Sequence, residues 1–209
     1  MADQPPDLRT RDSAVSEHGV AQELRRHSRH ILELSADALV RYVHSLLSTW
    51  QAAGSVTLFG NGGSAATASH HAADLANGAT GHTMRPMACV SLTDNVPLLT
   101  AIANDHGFES TFATLVRIHR PDLAVAFSVS GQSPNVIAGL AAARQLGASC
   151  VAFTGSETAL LTDVADIVIC CRSVEPGAVE AAHDAAAHVA ARLLRASIDG
   201  KDPRDNAQS

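Results

Sequence analysis

Between an apolar run and a helix-like segment lies Gly60-Asn61-Gly62-Gly63-Ser64, a residue order suited to gripping an anion. Glycine permits positive φ and lets backbone N–H groups approach a ligand closely. A helix beginning here adds unpaired N–H donors and the positive end of its dipole. Ser64 can cap that helix or offer its hydroxyl to a ligand oxygen. The turn lacks the Lys-Ser/Thr pair of a nucleotide-triphosphate loop, and Ala65 stands where a dinucleotide fingerprint needs its third glycine. Alone, it fits a structural bend and an anion site equally well. A second segment shifts that balance. Ser128-Val129-Ser130-Gly131-Gln132-Ser133 also follows an apolar run, and Pro134 suits the first turn of the helix after it. Its hydroxyls and backbone amides can surround a phosphate without a lysine or arginine. Thr154-Gly155-Ser156 repeats the theme after a further apolar run.

These loops must be positioned by the segments that flank them. Short apolar runs at Val56-Phe59, Met87-Ser91, Leu123-Ser128, Ser149-Phe153 and Ile167-Cys171 have strand length. They alternate with helical patterns at Gly63-Ala76, Val96-Ala103 with Phe108-Ile118, Pro134-Leu146, Thr158-Ala165 and Ala178-Ile198. Such alternation predicts an α/β fold with a parallel sheet, and right-handed crossovers place helices on both of its faces. Ligands of such sheets sit beyond the carboxyl ends of the strands, so the loops after Phe59, Ser91, Ser128 and Phe153 are the candidate site. Ahead of the first strand, Leu24, Ile31, Leu34, Ala38, Tyr42, Leu46 and Trp50 recur at helical spacing. Ser35 and Asp37 signal a restart, which predicts two N-terminal helices. Their apolar faces can cover their own domain or a partner subunit. Residues 1–14 and 200–209 are polar and are expected to be disordered or frayed, leaving one domain over 15–199.

Composition narrows the partners. The 209 residues are 46% hydrophobic and 17% charged, with a formal net charge of −6. That balance argues against a nucleic-acid footprint or an anionic-membrane surface. No apolar run reaches the roughly 20 residues of a spanning helix, and no secretory leader pattern opens the chain, so a cytoplasmic location is expected. Cys89, Cys150, Cys170 and Cys171 each sit in or beside an apolar run and form no CxxC pair, which reads as small buried hydrophobes.

From Leu24 to Ile198 the chain resembles the sugar isomerase (SIS) domain family, and within it the phosphoheptose isomerases. The most specific stretches are Gly60-Asn61-Gly62-Gly63-Ser64-Ala65-Ala66 with His70, then Ala103-Asn104-Asp105, then Ser128-Val129-Ser130-Gly131-Gln132-Ser133. The resemblance implies a three-layer α-β-α sandwich around a five-stranded parallel sheet, in a homotetramer with active sites at subunit interfaces and N-terminal helices in the contacts. It implies aldose–ketose isomerisation of sedoheptulose 7-phosphate to D-glycero-D-manno-heptose 7-phosphate through an enediol. It makes Asn61, Gly62, Gly63 and Ser64 substrate-binding, brings Asn104 and Asp105 to sugar hydroxyls, and places the phosphate on Ser128, Val129, Ser130 and Ser133. It also implies a divalent metal, with His70, Asp74, Glu180 and His188 at the ligand positions, and Glu180 in contact with substrate as well.

The spacing of these four is compatible with such a site. His70 and Asp74 are i, i+4 and share a helix face. Glu180 and His188 are two turns apart and about 80° around their helix, so one ligand beside the helix can reach both. Two imidazoles and two carboxylates suit zinc, or a harder divalent ion if the carboxylates dominate. Proton transfer then falls to Asp74 as base and His188 as its partner acid/base. The chain departs from the family pattern in places. The family's glutamate is Asp74, its last-helix glutamine is Glu180, and the acid expected just before that helix is missing, with Glu175 the nearest replacement. Asn77-Gly78 stands where a basic residue is common. Two other readings therefore stand beside the first: isomerisation of a related ketose phosphate such as an octulose phosphate, and a sugar-phosphate-binding or protein-interaction module without turnover.

Overall fold

The computed structural model describes residues 15–78, 85–157 and 159–200. The tails expected over 1–14 and 201–209, and Thr158 at the start of one expected helix, lie outside the described residues.

Five strands form one sheet: β1 (Ser55–Gly60), β2 (Ala88–Ser91), β3 (Leu123–Ser128), β4 (Ser149–Thr154) and β5 (Ile167–Cys170). All neighbours are parallel and the order is β2-β1-β3-β4-β5. The direction of winding reverses between β1 and β3, which opens a crevice at their carboxyl ends. Gly60 is in register with Phe127, and Ser128 with Thr154, so all three glycine- and serine-rich loops leave the sheet side by side.

Period-two alternation sorts the strand residues onto two faces. Leu58, Val125, Phe127, Val151, Phe153 and Ile169 pack toward α2 (Ala36–Gln51), α3 (Gly63–Ala73) and α8 (Pro176–Asp199). Phe59, Ala124, Ala126, Cys150 and Ala152 pack toward α4 (Val96–His106), α5 (Thr111–His119), α6 (Pro134–Gln145) and the short α7 (Ala159–Thr162). The result is the expected three-layer sandwich. Each face of the sheet is buried, which is why the strands read as continuous apolar runs.

Caps set the helix boundaries. Ser35 accepts from Ala38 N–H at 3.2 Å and so restarts the chain as α2 after α1 (Glu17–Leu32). The long α8 opens on Glu175, whose carboxylate accepts from Gly177 and Ala178 N–H at 3.1 and 2.6 Å, and it ends at left-handed Gly200. Ala182, Ala186 and Ala190 form its buried stripe and let it approach the sheet closely. The segment expected as one helix over 63–76 is divided: α3 stops at Ala73 and a π-helical turn spans Asp74–Gly78. Such widened turns recur at functional sites.

The two N-terminal helices differ in burial. Tyr42 and Leu46 bury α2 in its own domain, whereas α1 has no buried residue and leaves Val20, Leu24 and Leu32 exposed. The four cysteines are unpaired; Cys89 is half-buried and the other three are buried. Burial pushes the Cys89 thiol up to about 12 and Cys150 to about 11, which leaves both inert near neutrality. Among the described residues, no helix is long and apolar enough to cross a membrane.

Candidate active site

The glycine turn is drawn tight by its own backbone. Gly62 takes φ +58° and is itself the N-cap of α3, and no side chain caps that helix. Ser64 lies inside α3 and is buried, so the capping role read from the sequence belongs to Gly62. The helix end therefore keeps N–H donors available for a ligand. Asn61 exchanges two amide hydrogen bonds with Asn135 of α6, at 2.8 and 2.9 Å, and so clamps the turn after β1 to the helix after β3.

In the serine loop, Ser128 Oγ accepts from Gly131 N–H at 3.2 Å and lies 3.3 Å from Ser133 Oγ. Ser130 Oγ accepts from Gln132 N–H at 3.1 Å. These bonds curl the loop into a concave cup. The third loop supports that cup. Gly155 N–H donates to the Val129 carbonyl at 3.0 Å, Ser156 Oγ donates to the Ser130 carbonyl at 2.9 Å, and Thr154 Oγ1 donates to the Ser156 carbonyl. Thr154-Gly155-Ser156 thus spends its polar groups on protein and is a buttress for the phosphate-type loop.

Gly155 shows how close that support is. A Cβ there would run into the carbonyl oxygens of Ser173 and Val129, the latter at 2.6 Å, and into Val179 Cγ2 at 2.8 Å. Backbone oxygens cannot swing aside as a side chain would. Gly155→Ala is expected to cost about 1–3 kcal/mol of stability and to weaken binding of inorganic phosphate. Urea unfolding with a phosphate titration checks both.

Beyond the glycine turn, α3 and α8 lie side by side and run the same way, with Gly63 opposite Glu180 and Asp74 opposite His188. Asp74 Oδ2 is 3.0 Å from His188 Nδ1, and Asp74 Oδ1 is 3.8 Å from His70 Nε2. His70, Asp74 and His188 can each bring one ligand atom within 4.8 Å of the other two. Glu180 is not among them. Its carboxylate packs against Gly63, in the space a Cβ would fill, at the N-terminal end of α3. Asp184 joins the cluster instead, at 3.6 Å from both His70 and His188. The sequence reading missed it, although Asp184 and His188 repeat on α8 the i, i+4 spacing of His70 and Asp74. Glu175, the replacement acid, is occupied as the α8 cap and beside Arg26 and His27 of α1. Asn104 and Asp105 are exposed at the end of α4, where Asn104 donates to Asp105 at 2.8 Å, away from this cluster.

Two further histidines lie behind the cluster. His71 is buried and its Nε2 pairs with Tyr42 Oη at 2.7 Å. Burial first, and then the nearby His188 and His70, push its pKa down to about 3. His183 is buried against the stacked rings of Phe127 and Phe153, and burial lowers it to about 4. The Thr154 backbone offsets part of that shift, yet neither ring nitrogen reaches hydrogen-bond geometry.

Residues 21–155 match the SIS domain model. The chain belongs to the SIS domain family. It is 36% identical over 169 residues to the phosphoheptose isomerase of Aquifex aeolicus, covering 80% of this chain and 88% of that one. It is 34% identical over 172 residues to the phosphoheptose isomerase of a Roseiflexus species, covering 81% and 87%. Among solved structures, phosphoheptose isomerase GmhA from Neisseria gonorrhoeae superposes with a TM-score of 0.77 at 26% identity, over 90% of this chain and 98% of that one. The SIS match takes in the glycine turn, the serine loop and, of its buttress, Thr154 and Gly155. It ends before α8, so the grouping of His188 with His70 and Asp74 rests on geometry alone.

Proposed function

We propose that the chain is an aldose–ketose isomerase that converts sedoheptulose 7-phosphate to D-glycero-D-manno-heptose 7-phosphate. The observations that carry this reading are a hydroxyl- and amide-lined serine loop at the sheet's switch point and a carboxylate–imidazole pair, Asp74 and His188, 3.0 Å apart between α3 and α8. Its curated relatives are named for the same activity.

The phosphate rests on Ser128, the Val129 N–H, Ser130 and Ser133, and its binding energy orients the distant carbonyl end. The glycine turn, with Asn61 to Ser64, holds the sugar together with Glu180, while Asn104 and Asp105, away from the cluster within one chain, reach the sugar in a neighbouring subunit's site. Asp74 takes the proton from the carbon beside the carbonyl and returns it to the neighbouring carbon. In the cation-free site His188 moves the proton between the two oxygens, so the enediol forms and collapses without net change in protons. Two imidazole nitrogens and a carboxylate are a donor set that fits zinc, so His70, Asp74 and His188 would hold a divalent cation. A cation held there would supply Lewis-acid polarisation of the substrate carbonyl. The bare apolar stripe of α1 supports a homotetramer in which these helices meet and complete the sites. Four free thiols fit a reducing, cytoplasmic setting.

Incubating the protein with sedoheptulose 7-phosphate, with and without zinc, is expected to yield the aldose phosphate, faster with the metal. No aldose under any metal condition overturns the reading for this substrate.

A further inference from the structure

Asp184 stands on the opposite side of the two histidines from Asp74. Its Oδ1 lies 3.6 Å from His70 Nδ1, and its Oδ2 lies 3.6 Å from His188 Nε2. Asp74 meets the other nitrogen of each ring, Nε2 of His70 and Nδ1 of His188. The rings cross at 81° with centroids 4.8 Å apart. Each imidazole therefore has one carboxylate at each of its nitrogens.

The donor atoms that converge are those of His70, Asp74 and His188. A ring nitrogen that binds a cation carries no proton, and the N–H then sits on the other nitrogen. With the cation beside Asp74, the two remaining N–H groups are those that face Asp184. Histidine ligands elsewhere commonly donate this second N–H to a carboxylate, which holds the ring in one tautomer and one orientation. Such support matters here, because the His70 and His188 side chains are 52% and 50% exposed and little packing holds them.

We propose that Asp184 is a positioning residue that accepts the outward N–H of both His70 and His188 and so orients them toward a divalent cation held with Asp74. This inference rests on the cation reading given above. It also assigns the second carboxylate of the cluster to Asp184, where the family resemblance looks to Glu180.

The test is zinc affinity, read by competition with a chromophoric chelator, for the wild type, Asp184→Ala and Asp184→Asn. The cobalt-loaded visible spectrum is recorded for each, and thermal melts confirm folding. Asp184→Ala is expected to weaken zinc binding about 10–100-fold. Asp184→Asn, which keeps an acceptor oxygen, is expected to fall between it and wild type. At saturating cobalt all three should share one band shape, because the ligands themselves are unchanged. Unaltered zinc affinity in a folded Asp184→Ala protein overturns the inference, and so does a changed cobalt spectrum, which would make Asp184 a ligand. If wild type binds neither ion, the cation reading fails and this inference fails with it. If wild type binds and Asp184→Ala binds equally well, only this inference is lost.

Discussion

Asp74→Asn is expected to lower the isomerase kcat by about 10²–10⁴-fold while the protein stays folded. The asparagine has nearly the same shape, but its amide cannot accept a proton at neutral pH. Asp74 Oδ2 lies 3.0 Å from His188 Nδ1, so the substitution also removes the carboxylate that faces this imidazole. The serine cup is untouched, so KM should change much less than kcat. His188→Ala should cost a comparable factor. The double variant should be little worse than the poorer single one, since the two groups act as a unit. Zinc content must be measured alongside the initial rates, because Asp74 is also one of the converging donors. An Asp74→Asn enzyme that keeps half its kcat would remove Asp74 from proton transfer.

Acidification should weaken the fold through His183. Burial among Phe127 and Phe153 holds its folded pKa at about 4, against an unfolded value of 6.5. Between these values the unfolded chain binds a proton that the native state refuses. Stability is therefore complete above about pH 6.5 and declines as the pH falls toward 4. At pH 5 the loss from this residue is about 2 kcal/mol. His71, lowered by burial in the same direction, adds to it. His183→Leu replaces an imidazole without a hydrogen-bond partner by an apolar side chain of similar size, and should flatten the dependence by about 2 kcal/mol between pH 7 and 5. Urea unfolding of both proteins at the two pH values decides it; equal pH slopes would mean that His183 is not the buried titrating group.

What could be read without a structure was local in kind. Strand and helix periodicities arise from contacts within a few residues, so the five strands and most of the helices were legible. So were the glycine turn and the serine loop, because positive φ and open helix ends leave their mark on residue type. The i, i+4 pairing of His70 and Asp74 follows from helix geometry alone. Other features depended on which elements became neighbours. Placing β1 beside β3 put the two ligand loops together, and pairing β4 with β3 turned Thr154-Gly155-Ser156 into the buttress of one of them. Laying α8 alongside α3 in the same direction carried Glu180 to Gly63 and brought Asp184 with His188 to His70 and Asp74. Spacing along a helix tells which side chains share a face, but only the packing of the two helices decides which turn of one meets which turn of the other.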